Sequence, residues 1–143
     1  NTCRSPMAEG IFRHYLAKKL NCTVDESKQM GYKVLSAGVM ERVGYPATSE
    51  AIEACAGKGI DISSHRSQTL SKSLIDNSDV IFGMTERHCS EVKNLSPDAA
   101  EKCLLLAGQQ NITDPIGQPQ QAYDFCADII EKAIKQRIEE LEI

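Results

Sequence analysis

The residues best suited to chemistry stand where a loop meets a helix. Asn1-Thr2-Cys3-Arg4-Ser5-Pro6 runs straight into a stretch of helical apolar period. Free backbone N–H groups and the positive end of the helix dipole converge at such a junction and favour an anion. Arg4 adds a planar, permanently charged fork suited to bidentate contact with phosphate oxygens. The plain alternative is a solvated arginine in a first helical turn. Far along the chain stands Asp114-Pro115, which reads from spacing alone as a turn before a helix.

These residues need elements to hold them. After Ser5-Pro6, apolar residues recur as Met7/Ala8, Ile11/Phe12, Tyr15/Leu16 and Leu20, with Arg13, His14, Lys18 and Lys19 opposite. That is a helical period with proline in its permitted first turn. Residues 21–31 are polar and read as a loop. Residues 32–37 form a short strand ended by Gly38, and a second helix follows Pro46 and stops near Gly57-Lys58-Gly59. The apolar run 80–84 reads as a buried parallel strand, with Thr85 capping the helix behind it. Residues 103–106 are the next strand. From Pro119 onwards, Ala122, Cys126, Ile129, Ile130, Ala133, Ile134, Ile138 and Leu141 share one helical face. Strands alternating with helices predict an α/β fold with a parallel sheet covered on both sides. A βαβ unit begins with a strand, and none precedes the first helix, so the sequence opens inside a turn.

The 143 residues are one domain's worth, and no repeat or linker divides them. The net charge of −4 and the lack of a basic stripe argue against a nucleic-acid binder. No apolar run approaches the ~20 residues of a membrane-spanning helix, and the start lacks the apolar core of a signal peptide. Cysteines at 3, 22, 55, 89, 103 and 126 never form C-x-x-C. They fit neither a zinc site nor a stapled scaffold and predict reduced thiols in a cytoplasmic protein. No metal or other cofactor is expected.

The run Asn1-Thr2-Cys3-Arg4-Ser5-Pro6-Met7-Ala8-Glu9 resembles the second half of the phosphate loop of low-molecular-weight protein tyrosine phosphatases, whose pattern is Cys-x-Gly-Asn-x-Cys-Arg-Ser-Pro. Ser36-Ala37-Gly38, Gly59-Ile60-Asp61, His65-Arg66-Ser67, Met84 and Asp114-Pro115 follow in the order that family places them. The resemblance implies a flavodoxin-like, doubly wound sheet of four parallel strands with helices on both faces. It implies a phosphorylated protein as partner and a cysteine thiolate as nucleophile. The same pattern sets that cysteine three residues before Asn1, behind the central first strand, so the 143 residues are expected to be an N-terminally incomplete record of the domain. Cys3 is not that nucleophile, because it adjoins Arg4 where five intervening residues are required.

By the same resemblance, Asn1, Thr2, Cys3, Arg4 and Ser5 bind phosphate, and Ser5 also donates a hydrogen bond to the thiolate. Asp114 protonates the leaving atom and then activates water. Asn1, Ser36 and His65 form the network that holds the loop, whereas His88 reads as an ordinary helix residue. Cys3 is either a redox partner of the nucleophile or a small residue in the loop's rear wall. Thr2 and Ile116-Gly117 resemble the bacterial protein-arginine phosphatase branch, while Tyr45 offers an aromatic wall for phosphotyrosine. Two other functions compete. A thioredoxin-coupled arsenate reductase would need Cys89 and Cys103 as a relay pair. A non-catalytic phospho-binding module would have no use for Asp114.

Overall fold

The computed structural model describes residues 3–39 and 43–141, so Asn1 and Thr2 lie outside the described residues. Helix α1 (Arg4–Lys19) buries Pro6, Met7, Ile11, Leu16 and Ala17, close to the expected face. It packs mainly against the last helix, α6 (Gln120–Glu140). That helix buries Tyr123, Cys126, Ala127, Ile130, Ile134 and Ile138. Their three- and four-residue spacings lay the side chains along one stripe. Each fully buried isoleucine contributes about 1.5–3 kcal/mol of transfer free energy, so this helix pair anchors the start of α1 in the larger core.

The polar segment 21–31 holds a helix that apolar periodicity does not reveal. Helix α2 (Val24–Gln29) is set by a capping box: the Glu26 N–H donates to Thr23 Oγ1 at 3.1 Å, and the Thr23 N–H donates to Glu26 Oε1 at 3.0 Å. The T-x-x-E signature was the available signal. Helix α3 (Ser49–Ala56) is capped by Thr48 as the second helix of the sequence pattern, and a short α4 (Lys72–Asp76) is capped by Ser71.

Strands β1 (Ile81–Gly83) and β2 (Cys103–Leu105) pair in parallel, with Ile81 opposite Cys103 and Gly83 opposite Leu105. Between them run α5 (Glu86–Leu95), capped by Thr85, and a 3₁₀ turn at Pro97–Lys102. Gly83 is required here: a Cβ would lie 2.7 Å from Cys89 Sγ and 3.2 Å from the Thr85 carbonyl oxygen. The two strands divide two apolar clusters. Phe82, Met84 and Leu106 join α1, α3 and α6 on one side, whereas Ile81, Cys103 and Leu105 join Ile75, Cys89, Val92 and Ala99 on the other. A parallel sheet with cores on both faces is the doubly wound arrangement.

Segment 32–37 forms no ladder among the described residues. A strand is stabilised by a neighbour that takes its N–H and C=O groups, and the contact assigned nearby is a single parallel bridge between Gly38 and Thr69. Of the four strands expected, two and this bridge are described. No helix among the described residues is long and apolar enough to cross a membrane.

Candidate active site

Helix α1 starts at Arg4 without a side-chain cap and without an acidic residue in its first turn. Pro6 has no N–H to leave unpaired, so the turn suits an incoming anion rather than an internal carboxylate. The Arg4 side chain is 14% exposed. Its Nη1 donates to the Ile112 carbonyl at 2.6 Å, and its Nη2 lies 3.6 Å from Asp114 Oδ2. The structure thus joins two residues that stand 110 positions apart in the sequence, Arg4 and Asp114. Ser5 follows Arg4, partly buried in the same turn.

The loop bearing Asp114 is fixed at several points. The Ile112 N–H donates to the Met84 carbonyl at 2.8 Å, so the end of β1 holds it, and the Ile112 side chain is buried. Asn111 Oδ1 accepts from the Glu86 N–H at 2.9 Å and ties the loop to the start of α5. Asp114 Oδ1 accepts from the Ile116 N–H at 3.1 Å, which orients the carboxylate while leaving it 42% exposed. A partly exposed carboxyl beside a guanidinium and a helix N-terminus can give a proton to a leaving atom and later take one from water.

Cys3 immediately precedes α1. Its buried Sγ lies 3.5 Å from the Tyr123 hydroxyl and 3.9 Å from Thr48 Oγ1. Burial and the Cys3 thiol push the Tyr123 phenol up to about 12, so it keeps its proton. For the rear-wall alternative at Cys3, Tyr123 and Thr48 are the partners.

Ser36 and His65 come together on a residue that sequence reasoning quoted but gave no role, Glu9. Ser36 Oγ donates to Glu9 Oε1 at 3.0 Å. His65 Nδ1 and Arg13 Nη1 lie 3.7 and 3.3 Å from Glu9 Oε2. Burial pushes the Glu9 carboxyl up, but the His65 and Ser36 hydrogen bonds and the Arg13 charge outweigh it, leaving the group below the ordinary carboxylate range. The available signal was the Glu9/Arg13 pair at i, i+4, one turn beyond the loop motif. A crevice of about 490 Å³ adjoins this network, lined by residues including Arg13, Leu35, His65 and Arg66. Neither Arg4 nor Asp114 borders it.

His88 lies in the first turn of α5. Burial holds its imidazole below the usual histidine range, and the charges of Arg4 and Arg87 push it further down.

An uncapped helix start, an arginine and a carboxylate meet here, and known proteins carry the same fold. The pattern of the low molecular weight phosphotyrosine protein phosphatase family matches residues 1–143. The chain belongs to this family. EpsP of Ralstonia nicotianae, described as a probable low molecular weight protein-tyrosine-phosphatase, is 32% identical across 94% of this chain and 85% of its own length. The protein-arginine-phosphatase of Geobacillus stearothermophilus is also 32% identical, across 99% of this chain and 90% of its own. A solved variant of YwlE arginine phosphatase with a phosphorylated active-site serine superposes with a TM-score of 0.83. It is 28% identical, and the match covers 99% of this chain and 90% of that one. The protein is accordingly a protein phosphatase, a hydrolase with the flavodoxin-like α/β fold.

Proposed function

We propose that this phosphatase acts through a phosphocysteine intermediate and that phosphoarginine is its favoured protein substrate. The contact between Arg4 and Asp114 at the start of α1 carries the reading. The thiolate that the family pattern places three residues before Asn1 attacks phosphorus while the bond from phosphorus to the leaving oxygen or nitrogen breaks. Asp114 gives its proton to that atom. The Asp114 carboxylate then takes a proton from water, whose oxygen attacks phosphorus and releases the thiolate, with Ser5 donating to the sulfur. Arg4 and the first-turn N–H groups stabilise the transferring group throughout, an electrostatic contribution made by donors already in place. Asn1, Thr2 and Cys3 complete the loop, and Ser36 and His65 brace it through Glu9. A thiolate nucleophile, together with the buried free thiols of Cys55, Cys89, Cys103 and Cys126, fits a reducing, cytoplasmic compartment.

The substrate preference rests on Thr2 and on Ile116-Gly117. A polar residue in the loop, and no aromatic pair after Pro115, suit a guanidinium better than a phenol ring. Phosphotyrosine is favoured by one observation: Tyr45 is 51% exposed. Identity does not discriminate, since tyrosine- and arginine-directed relatives match equally well. The arsenate-reductase reading is disfavoured by the placement of its relay pair. Cys89 and Cys103 are buried in the second core, and burial and the hydrogen bond its thiol donates to Cys89 push Cys103 up to about 12. Matched phosphoarginine and phosphotyrosine peptides test the preference in the intact protein. A higher kcat/KM for phosphoarginine, shifted toward phosphotyrosine by Thr2→Ile, is expected; a phosphotyrosine preference that Thr2→Ile leaves unchanged contradicts it.

A further inference from the structure

We propose that Tyr123 is a positioning residue of the phosphate site, acting through Cys3 on the loop that presents Arg4. The inference rests on the reading of that loop as the phosphate cradle. Cys3 is the residue immediately before α1, with φ −122° and ψ −87°, and no side chain caps the helix it opens. What holds it is a buried cluster reaching in from two other helices. The Tyr123 hydroxyl on α6 is 3.5 Å from Cys3 Sγ, and Thr48 Oγ1, at the start of α3, is 3.9 Å from the same sulfur. Thr48 is engaged in turn, since it accepts from the Ala51 N–H at 3.3 Å.

The Tyr123 side chain is 1% exposed, so its hydroxyl has no water to turn to. A phenol buried this deeply needs a partner. The ring needs only the apolar packing of α6 that phenylalanine would supply equally well. The hydroxyl is surplus to that packing; it meets Cys3, the residue next to Arg4, and shares a hydrogen bond with Thr48, which lies against the same sulfur. Directly after the sulfur come the guanidinium and the first N–H groups of α1, which act only when aimed within a fraction of an ångström. A loop released at its rear wall loses aim on phosphorus, not grip on the rest of the substrate. The effect should therefore fall on every phosphomonoester alike, whatever group leaves.

The test is Tyr123→Phe in the intact protein, measured well below its unfolding temperature. The expected result is a fall of about tenfold in kcat/KM, equal for phenyl phosphate and 4-nitrophenyl phosphate. The inhibition constant of inorganic vanadate, which takes the five-coordinate geometry of the transferring phosphoryl group, should rise by a similar factor. Arg4→Ala is the control for the cradle itself. If Arg4→Ala weakens vanadate and Tyr123→Phe lowers only the melting temperature, Tyr123 is a packing residue and the inference is overturned. If Arg4→Ala leaves vanadate inhibition unchanged, the cradle reading fails and takes the inference with it. A loss confined to phenyl phosphate would also overturn it, because that signature belongs to the proton donor.

Discussion

Replacing Glu9 by glutamine tests the electrostatic brace beneath the phosphate loop. The amide keeps the shape of the carboxylate and an acceptor for Ser36 Oγ, but it removes the negative charge facing Arg13 and His65. The Glu9 side chain is 12% exposed and that of Arg13 28%, so the lost contacts are partly sheltered from solvent. Hydrogen bonds to charged groups contribute about 1.5–3 kcal/mol. With some screening at Arg13, we expect a loss of about 2 kcal/mol near neutral pH, or about 6 °C in Tm for a chain of this size. The pH dependence supplies the sharper check. Because the folded Glu9 carboxyl lies below its ordinary value, its contribution is fully present above the unfolded value and is lost as pH falls through the folded one. Urea unfolding followed by circular dichroism at a series of pH values should show wild type and Glu9→Gln converging below about pH 4. A difference that is constant across pH, or under about 0.5 kcal/mol at neutrality, would refute the brace.

Two further predictions follow from the packing. Gly10→Ala puts a Cβ 2.4 Å from Ile62 Cγ2 and 3.2 Å from Ile60 Cγ2, both on buried branched side chains. Overpacking costs about 1–3 kcal/mol against a helix-propensity gain of up to about 1, so thermal unfolding should show a net loss of about 1 kcal/mol, and a stabilised variant would contradict it. His88 is held low by burial and by Arg4 and Arg87, so the unfolded chain takes up its proton first. Stability should then fall as pH drops through about 6.5, and His88→Asn should flatten that fall; an unchanged slope between about pH 5 and 7 rejects the assignment.

How much of this was legible follows from distance along the chain. Helix α6 announced itself because its apolar stripe repeats over 21 residues, and α1 because Met7, Ile11 and Leu16 recur at helical spacing behind Ser5-Pro6. Helices α2 and α4 are too short for a stripe, and only their caps at Thr23 and Ser71 betray them. Segment 32–37 has strand composition, but composition cannot supply the neighbour a ladder requires. In the site, the loop motif marked Arg4, and the family order of motifs marked Asp114. Local spacing could not show that they touch. Glu9 was hidden because its partners, Ser36 and His65, arrive from loops 27 and 56 residues away. Tyr123 was hidden more deeply: its ring belongs to an ordinary helical stripe, and only the fold brings its hydroxyl to Cys3, 120 residues distant.

The central claim is that Arg4 at the start of α1 holds the phosphoryl group during transfer. Steady-state hydrolysis of 4-nitrophenyl phosphate by intact wild type and Arg4→Lys measures it, because lysine keeps the charge and loses the planar fork. The account predicts a fall of about 10³-fold in kcat/KM with a melting temperature close to that of wild type. Activity within a few-fold of wild type would contradict it.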